Sequence, residues 1–344
     1  WETQTLDATD GAALPGMQRM AGLVRTVTTP EFAGVTFHEV AAKSALNQVP
    51  EAAGMPFRWT INPTRGCLHR CVYCFARNTH TYLDLDPGAD FDTQIVVKTN
   101  IVAVLRRELA RSSWRREPVA MGTNTDPYHR AEGRYHLMPG IIEALAESGT
   151  PFSILTKGTL LRRDLPLLAR ASRSVPVGIG ISLALTDVAL QGAVEPGAPS
   201  PNARLDLIRA VRDAGLACGV MAMPILPYLT DGDEELDELY GSLAEAGATG
   251  VTAGALHLRP GAREWYLDWL ARWHPHIVGR YRRLYARGAY VSEEYRAWLA
   301  ERTTATAKRH NLEPQARFIR PDAAFSATDT DGPEPEPELT PALF

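Results

Sequence analysis

Three of the four cysteines in this chain lie close together and have residue types suited to metal chemistry. Cys67, Cys71 and Cys74 have the spacing C-x3-C-x2-C, whereas Cys218 is far away in the sequence. Three thiolates on one short loop can bind three corners of an iron–sulfur cube. The fourth iron then keeps an open position for a ligand, much as catalytic zinc does. The stretch therefore predicts an iron–sulfur cluster that binds a small molecule.

Two other uses of these cysteines remain open. A structural zinc site usually has two pairs of ligands, and the nearby candidates for a fourth ligand here are His69 and His80. A disulfide would leave one of the three cysteines unpaired. We expect the cluster rather than either alternative.

The overall composition is that of a globular enzyme. The chain has 344 residues, of which 45% are hydrophobic and 22% charged. The grouping of three cysteines without a disulfide framework predicts a reducing, cytoplasmic compartment. The sequence contains no apolar run of 18 or more residues, so it predicts no membrane span, and no secretory signal is evident.

The sequence divides into four predicted regions. Residues 1–55 are an N-terminal extension, residues 56–258 form the core, residues 259–320 are helical, and residues 321–344 are a tail. The tail is acidic and proline-rich, which predicts disorder. Without its six acidic residues, the net charge of −4 becomes +2. The helical region has 13 Lys or Arg and 6 Asp or Glu, a net charge of +7, with interleaved aromatic residues.

Strand-like apolar runs alternate with helical patterns in the core. The strands are predicted at 57–62, 118–121, 151–155, 177–182, 217–223 and 249–252, and the helices at 102–111, 138–147, 162–171, 203–214 and 234–246. Apolar strands suit a parallel sheet covered by helices. Six such units over about 200 residues predict an α/β fold, a partial (β/α)6 TIM-like barrel. We also expect a short helix between Phe32 and Val49.

Polar residues follow several of the predicted strands, where functional groups gather in parallel α/β barrels. The second strand is followed by the run 122–128, the third by Thr156 and Lys157, and the fourth ends at Ser182. A zwitterionic nucleoside needs acceptors for its ammonium group, a lysine for its carboxylate and hydroxyl or amide partners for its ribose. The polar residues at the ends of these strands therefore predict a binding site for such a ligand.

The stretches NPTRGC–HRCVYCFAR, GTNTDPY, ILTKG–RRDLPLL and EPGAPSPNARL resemble the radical S-adenosylmethionine (radical SAM) enzymes. The resemblance is to the branch related to spore photoproduct lyase, and within it to an actinobacterial group, and it extends from about Val24 to Tyr290. It implies a [4Fe-4S] cluster whose open iron binds SAM. It also implies that an electron from an external donor cleaves SAM to methionine and a 5′-deoxyadenosyl radical, which abstracts hydrogen from an unidentified substrate.

The resemblance also implies roles for individual residues. The implied SAM contacts are Thr125 and Asp126 near the amino acid end, Lys157 near the carboxylate, Ser182 near the ribose, and Tyr73 near the adenine or the cluster. Asn124 lies at the same rim, and Arg204 and Glu195 are further candidates. Other interpretations remain open: Asp126-Pro127 is also typical of a turn, Lys157 of a solvated surface, and Arg204 with Glu195 of an ion pair on a helix surface.

One departure concerns the lyase reaction itself. Spore photoproduct lyase has a hydrogen-donating cysteine in the stretch Ala-Cys-Thr-Ser-Asp, and the matching position here is Thr123. The resemblance therefore does not carry over that hydrogen donor. Cys218 lies among apolar strand residues and is expected to be a buried thiol.

The basic helical region makes nucleic acid one candidate substrate. Arg and Lys neutralise phosphates and exposed aromatic rings stack on bases, and the preferred contacts are Arg280, Arg282 and Arg283. Trp265, Trp269 and Trp273 recur every four residues, as in one buried stripe. Two alternatives are radical SAM modification of a peptide or small molecule, and a non-catalytic protein that uses a bound metal for binding or electron transfer.

Overall fold

The structure is a computed structural model that describes residues 22–51, 55 and 57–313. The predicted disordered tail at 321–344, residues 314–320 of the helical region and the first 21 residues of the extension lie outside the described residues. Within them, the chain forms two β-sheets surrounded by α-helices. No helix in this part of the chain is long and apolar enough to cross a membrane.

The larger sheet carries the core of the protein. Its strands are β3 (Leu46–Gln48), β4 (Trp59–Ile61), β7 (Val119–Met121), β8 (Phe152–Thr156), β9 (Val177–Ser182), β10 (Gly219–Ile225) and β11 (Gly250–Ala255). Strands β4 and β7 to β11 are parallel and adjacent in chain order, and β3 pairs antiparallel with β4 at one edge. Six parallel strands in this order confirm the predicted (β/α)6 arrangement.

Helices connect these strands, as the sequence predicts. The connecting helices are α2 (Ile101–Leu109), α4 (Leu137–Glu147), α5 (Leu161–Ala171), α6 (Val188–Val194), α7 (Pro201–Asp213) and α8 (Asp233–Glu245). Local residues determine where helix α7 begins and ends. At its start, the Ser200 hydroxyl accepts a hydrogen bond from the Ala203 amide, and Pro201 occupies the first turn. Gly215 follows its end with φ 77°. Helix α6 was not predicted, because its seven residues are too few to show a clear apolar periodicity.

The N-terminal extension supplies two of the four strands of a second sheet. This sheet consists of β1 (Leu23–Thr28), β2 (Thr36–Val40), β6 (Gln94–Lys98) and β5 (Thr64–Arg65), in that order. The prediction of a helix between Phe32 and Val49 is wrong, because β2 pairs in parallel with β6 from a distant part of the sequence. β5 pairs with β6 and leads directly into the cysteine loop. The second sheet thus fixes the start of that loop.

Shorter elements complete the chain around this framework. They are α1 (Ala89–Thr93), α3 (Glu132–Tyr135) and the 3-10 helices Pro30–Phe32, Phe75–Leu83 and Pro275–Ile277.

The C-terminal region is helical where it is described, as predicted. It contains α9 (Ala262–Trp273), α10 (Val278–Leu284) and α11 (Glu293–Arg309). Tyr266, Trp269 and Tyr281 are buried in an apolar cluster that also contains Cys71 and Tyr73 of the cysteine loop. The region therefore packs onto the predicted site and contributes to its core.

The predicted tryptophan stripe is only partly buried. Trp269 is 6% exposed, Trp265 is half-buried, and Trp273 is 61% exposed. The expectation of one buried stripe is wrong at Trp273, which lies in the last turn of α9.

Candidate active site

The three predicted metal ligands lie on one loop that follows β4 and β5. Backbone hydrogen bonds fix this loop to two other segments: the Cys67 amide donates to the Phe91 carbonyl at 3.1 Å and the Val72 amide to the Val194 carbonyl at 2.9 Å. Gly66 precedes Cys67 with φ 85°, where a side chain would be strained and would meet Ile95. The chain therefore holds the loop in shape through its own contacts.

The thiols of the loop are sheltered from water. Cys67 and Cys71 are each 7% exposed, Cys74 is half-buried, and all are free. Burial and the neighbouring Cys67 together raise the pKa of Cys74 to about 11. Burial also raises the pKa of Cys71 well above its usual value. Such thiols need a bound metal to become thiolates at neutral pH.

The loop supplies a donor set that fits three corners of an iron–sulfur cube. The described residues hold no group of three or more His, Cys, Asp or Glu side chains arranged around a single ion. A cube does not require such convergence, because each thiolate binds a different iron. The two histidines considered as zinc ligands have other partners: His69 Nδ1 lies 3.3 Å from Asp126 Oδ2, and His80 Nε2 lies 2.9 Å from the Gln94 carbonyl.

Arg77 anchors the end of the loop and was missed by the sequence reasoning. Its guanidinium is fully buried and donates two hydrogen bonds to the Cys71 carbonyl, at 3.1 and 2.9 Å. It also pairs with Asp92 at 2.9 Å. The only sequence signal was its place three residues after Cys74, because Asp92 is distant along the chain.

Five of the predicted polar residues meet in one buried network beside the loop. They are Tyr73, Lys157, Ser182, Glu195 and Arg204. Glu195 is fully buried at its centre and accepts hydrogen bonds from Tyr73 and, at 2.5 Å, from Arg204. Lys157 Nζ lies 3.2 Å from Glu195 and 2.6 Å from the Ser182 hydroxyl. We call these five residues the Glu195 network.

The electrostatics of the Glu195 network keep its carboxylate charged. Burial raises the pKa of Glu195, but the charges of Arg204 and Lys157 outweigh this and lower it to about 2. Arg204 is 0% exposed, so the interpretation of Arg204 and Glu195 as an ion pair on a helix surface is wrong. Lys157 is 11% exposed and is likewise not a solvated surface charge.

The run after β7 has a different set of contacts. Asn124 is exposed at the rim. Thr125 is 3% exposed and donates to the Thr64 carbonyl at 3.0 Å. Asp126 accepts hydrogen bonds from four donors, which are the Tyr128 amide, the Thr156 hydroxyl, the Lys157 amide and His69. The SAM contacts predicted for these residues stay predictions.

Two buried polar atoms at the same rim lack a partner among the described residues. They are Asn62 Oδ1, directly after β4, and Thr123 Oγ1, after β7. The two strands are neighbours, with Ile61 paired to Met121. Because a buried polar atom without a partner is costly, both atoms fit contacts with a ligand or water. Sequence reasoning missed Asn62, although it directly follows β4.

The predicted arginine contacts lie on α10. Arg280, Arg282 and Arg283 are exposed, whereas Tyr281 between them is fully buried. A cavity of about 450 Å³ opens beside this helix, lined by Tyr228, Arg280, Arg283, Leu284 and Ser292. The Arg280 guanidinium lies 5.4 Å from the centre of the Tyr228 ring. The structure therefore groups two of the three arginines around one opening.

An aromatic stack lies next to the cysteine loop. Phe75, the residue after Cys74, lies 5.7 Å from the ring of His257, which in turn stacks on Tyr290 at 5.7 Å. The Arg259 guanidinium covers the Phe75 ring at 5.6 Å, and Tyr290 is 48% exposed. Tyr290 ends this stack, and Ser292 lines the cavity beside α10. The two residues are two positions apart in the sequence, so their α-carbons are at most about 7 Å apart.

The sequence and the fold were compared with those of known proteins. The sequence pattern of the radical SAM superfamily matches residues 61–240. An uncharacterized protein of Mycobacterium tuberculosis is 61% identical over 313 residues, which cover 91% of this chain and 92% of the relative. An uncharacterized protein of Methanocaldococcus jannaschii is 25% identical over 195 residues, covering 56% of this chain and 69% of the relative. A solved structure of spore photoproduct lyase with dinucleoside spore photoproduct has a similar fold, with a TM-score of 0.57 and 16% identity over 80% of this chain and 79% of the lyase.

Proposed function

The chain belongs to the radical SAM superfamily of enzymes, and we propose that Cys67, Cys71 and Cys74 bind its [4Fe-4S] cluster beside a SAM site at the strand ends. When bound, the cluster supplies the electron that cleaves SAM to methionine and a 5′-deoxyadenosyl radical, which abstracts hydrogen from the substrate. An external donor provides that electron. The chain itself binds the two cofactors, orients them and excludes water.

One observation carries this proposal: Tyr73 belongs to both parts of the site. It lies between Cys71 and Cys74 on the loop, and its hydroxyl donates to Glu195 of the network. A ligand near Lys157 and Ser182 therefore lies next to the thiols. Lys157 is suited to the SAM carboxylate, Ser182 to the ribose and the exposed Asn124 to a further polar contact.

Replacing Lys157 by alanine should weaken SAM binding and leave the iron content unchanged. The loss of one charge-assisted hydrogen bond costs about 1.5–3 kcal/mol, which corresponds to an affinity lower by about 10- to 150-fold. Calorimetric titration of the reconstituted protein with SAM measures this change. Lys98→Ala, in the second sheet, is the matched control and should bind SAM normally. Unchanged SAM affinity in Lys157→Ala would remove Lys157 from the site.

Nucleic acid is the substrate class that a specific feature favours. The cavity beside α10 presents Arg280 and Arg283, which suit phosphate, and the adjacent stack presents the exposed ring of Tyr290, which suits a base. A chain of nucleotides is long enough to contact both features at once. The lyase with a similar fold is complexed with a dinucleoside photoproduct, which supports the same class.

Binding of labelled single-stranded DNA at increasing salt tests this substrate class. Each phosphate contact should contribute a slope of about −0.7 in log affinity against log salt. The double variant Arg280→Ala with Arg283→Ala should flatten the total slope by about 1.4. Arg170→Ala, an exposed arginine on α5, is the control and should leave the slope unchanged. Binding without salt dependence would instead favour a peptide or small-molecule substrate.

A further inference from the structure

The carboxylate of Asp126 has no free position for a ligand. Oδ1 accepts hydrogen bonds from the Tyr128 amide at 2.8 Å and the Thr156 hydroxyl at 2.5 Å. Oδ2 accepts from the Lys157 amide at 2.6 Å and lies 3.3 Å from His69 Nδ1. A carboxylate offers about four lone-pair sites, so these donors occupy all of them. An ammonium group from SAM would have to displace one.

His69 is the donor that connects Asp126 to the cysteine loop. It lies between Cys67 and Cys71, and its side chain is 3% exposed, against 10% for Asp126. The other three donors belong to the ends of β7 and β8 and the turns that follow them. Asp126 therefore joins the loop to the carboxyl edge of the parallel sheet.

The backbone beside His69 is fixed from the opposite side. The Gly197 amide donates to the His69 carbonyl at 3.0 Å. A Cβ at Gly197 would come within 1.9 Å of the Leu68 carbonyl oxygen, so only glycine permits this approach. Gly197 holds the loop backbone, and Asp126 holds the side chain of His69, which points towards the ends of β7 and β8.

We propose that Asp126 and His69 form a buried latch that holds the cysteine loop against the ends of β7 and β8, and that Asp126 is a positioning residue for the cluster ligands rather than a SAM ligand. This inference rests on the proposed function only in taking the loop as the cluster site. The latch itself is a property of the protein before any cluster binds. It keeps Cys67 sheltered from water and the three thiols in fixed positions relative to one another.

Thiol labelling of the protein without a cluster tests the latch directly. Asp126→Asn and His69→Ala should each increase the rate at which N-ethylmaleimide labels Cys67, by about 10-fold or more, the effect of losing one hydrogen bond to a charged group. Peptide mapping by mass spectrometry measures the rate. The effects of the two changes should be less than additive in the double variant, because both break the contact between Asp126 and His69. Additive effects, or no change in either single variant, would overturn the latch.

Two further variants separate a latch from general destabilisation. His69→Asn keeps an N–H donor near the position of Nδ1 and should restore slow labelling in part, whereas His69→Ala should not. Asp164→Asn changes another buried carboxylate, which contacts Tyr128 and Arg163 but not the cysteine loop, and should label like the unsubstituted protein. Fast labelling in Asp164→Asn would mean that any buried substitution loosens the loop, which would contradict the proposal.

The reconstituted protein distinguishes a positioning residue from a SAM ligand. In Asp126→Asn, a chelator should remove iron about 10- to 100-fold faster, as expected when a partner of a metal ligand is lost. The clusters that remain should bind SAM with an affinity within about 3-fold of the original. Normal iron retention with weakened SAM binding would make Asp126 a SAM ligand and overturn the proposal. Failure of the unsubstituted protein to take up iron would contradict the proposed function, while the labelling result would still decide the latch.

Discussion

Alanine at Cys67, Cys71 or Cys74 should abolish both the iron–sulfur absorption at about 400 nm and the cleavage of SAM. Each substitution removes one of three thiols on a loop whose shape the protein fixes by itself. The described part of the chain offers no nearby replacement, because Cys218 is fully buried in the apolar core. Iron content and absorption after anaerobic reconstitution measure the first effect, and 5′-deoxyadenosine formation measures the second.

Cys218→Ala is the matched control for these variants. It removes a buried thiol of the same type outside the site, so it should keep the full iron content and SAM cleavage. Some loss of stability is expected there from the small cavity. If a variant with alanine at all three loop positions still bound iron and cleaved SAM, the assignment of the cluster ligands would be wrong.

Glu195→Ala should lower the free energy of unfolding of the apoprotein by about 3–5 kcal/mol, the usual effect of removing one partner from a buried ion pair. The reason is that the buried Arg204 and the largely buried Lys157 would lose the carboxylate that pairs with both of them. Urea unfolding measures the change. The same variant should lose SAM binding, because the Lys157 side chain would lose one of its anchors.

The control for Glu195 is a carboxylate in an exposed ion pair. Glu147 pairs with Arg106 and its side chain is 61% exposed, so Glu147→Ala should cost less than about 1 kcal/mol. Equal effects of the two substitutions would contradict the buried network.

The pH dependence of stability has a definite sign, because the folded pKa of Glu195, about 2, lies below the unfolded value of about 4.3. Its contribution should be complete above about pH 4.3 and disappear as the pH falls towards 2.

Much of the core could be predicted from local sequence patterns. The strand predicted at 177–182 is observed at Val177–Ser182, and helix α4 begins one residue before its predicted start. Apolar periodicity and helix-ending glycines are local signals, so short windows of sequence contain them. The second sheet could not be predicted in this way, because β2 and β6 become strands only by pairing with each other across a long stretch of chain.

The site residues also differ in whether local sequence patterns could predict them. The rule that polar groups gather after parallel strands predicted Lys157 and Ser182, which meet at 2.6 Å. It could not show that Glu195 and Arg204 are buried, since a helix pattern does not reveal which polar residue faces the sheet. The roles of Arg77 and His69 were also hidden, because their partners Asp92 and Asp126 are brought close only by the fold.

The most direct test of the central claim is anaerobic reconstitution of the unsubstituted protein with iron and sulfide, followed by incubation with SAM and a strong reductant. A radical SAM enzyme with a [4Fe-4S] cluster should bind about four iron per chain and form 5′-deoxyadenosine and methionine from SAM. Both products should be absent when the reductant is omitted. Binding of about one zinc instead, or binding of iron without formation of 5′-deoxyadenosine, would contradict the proposed function.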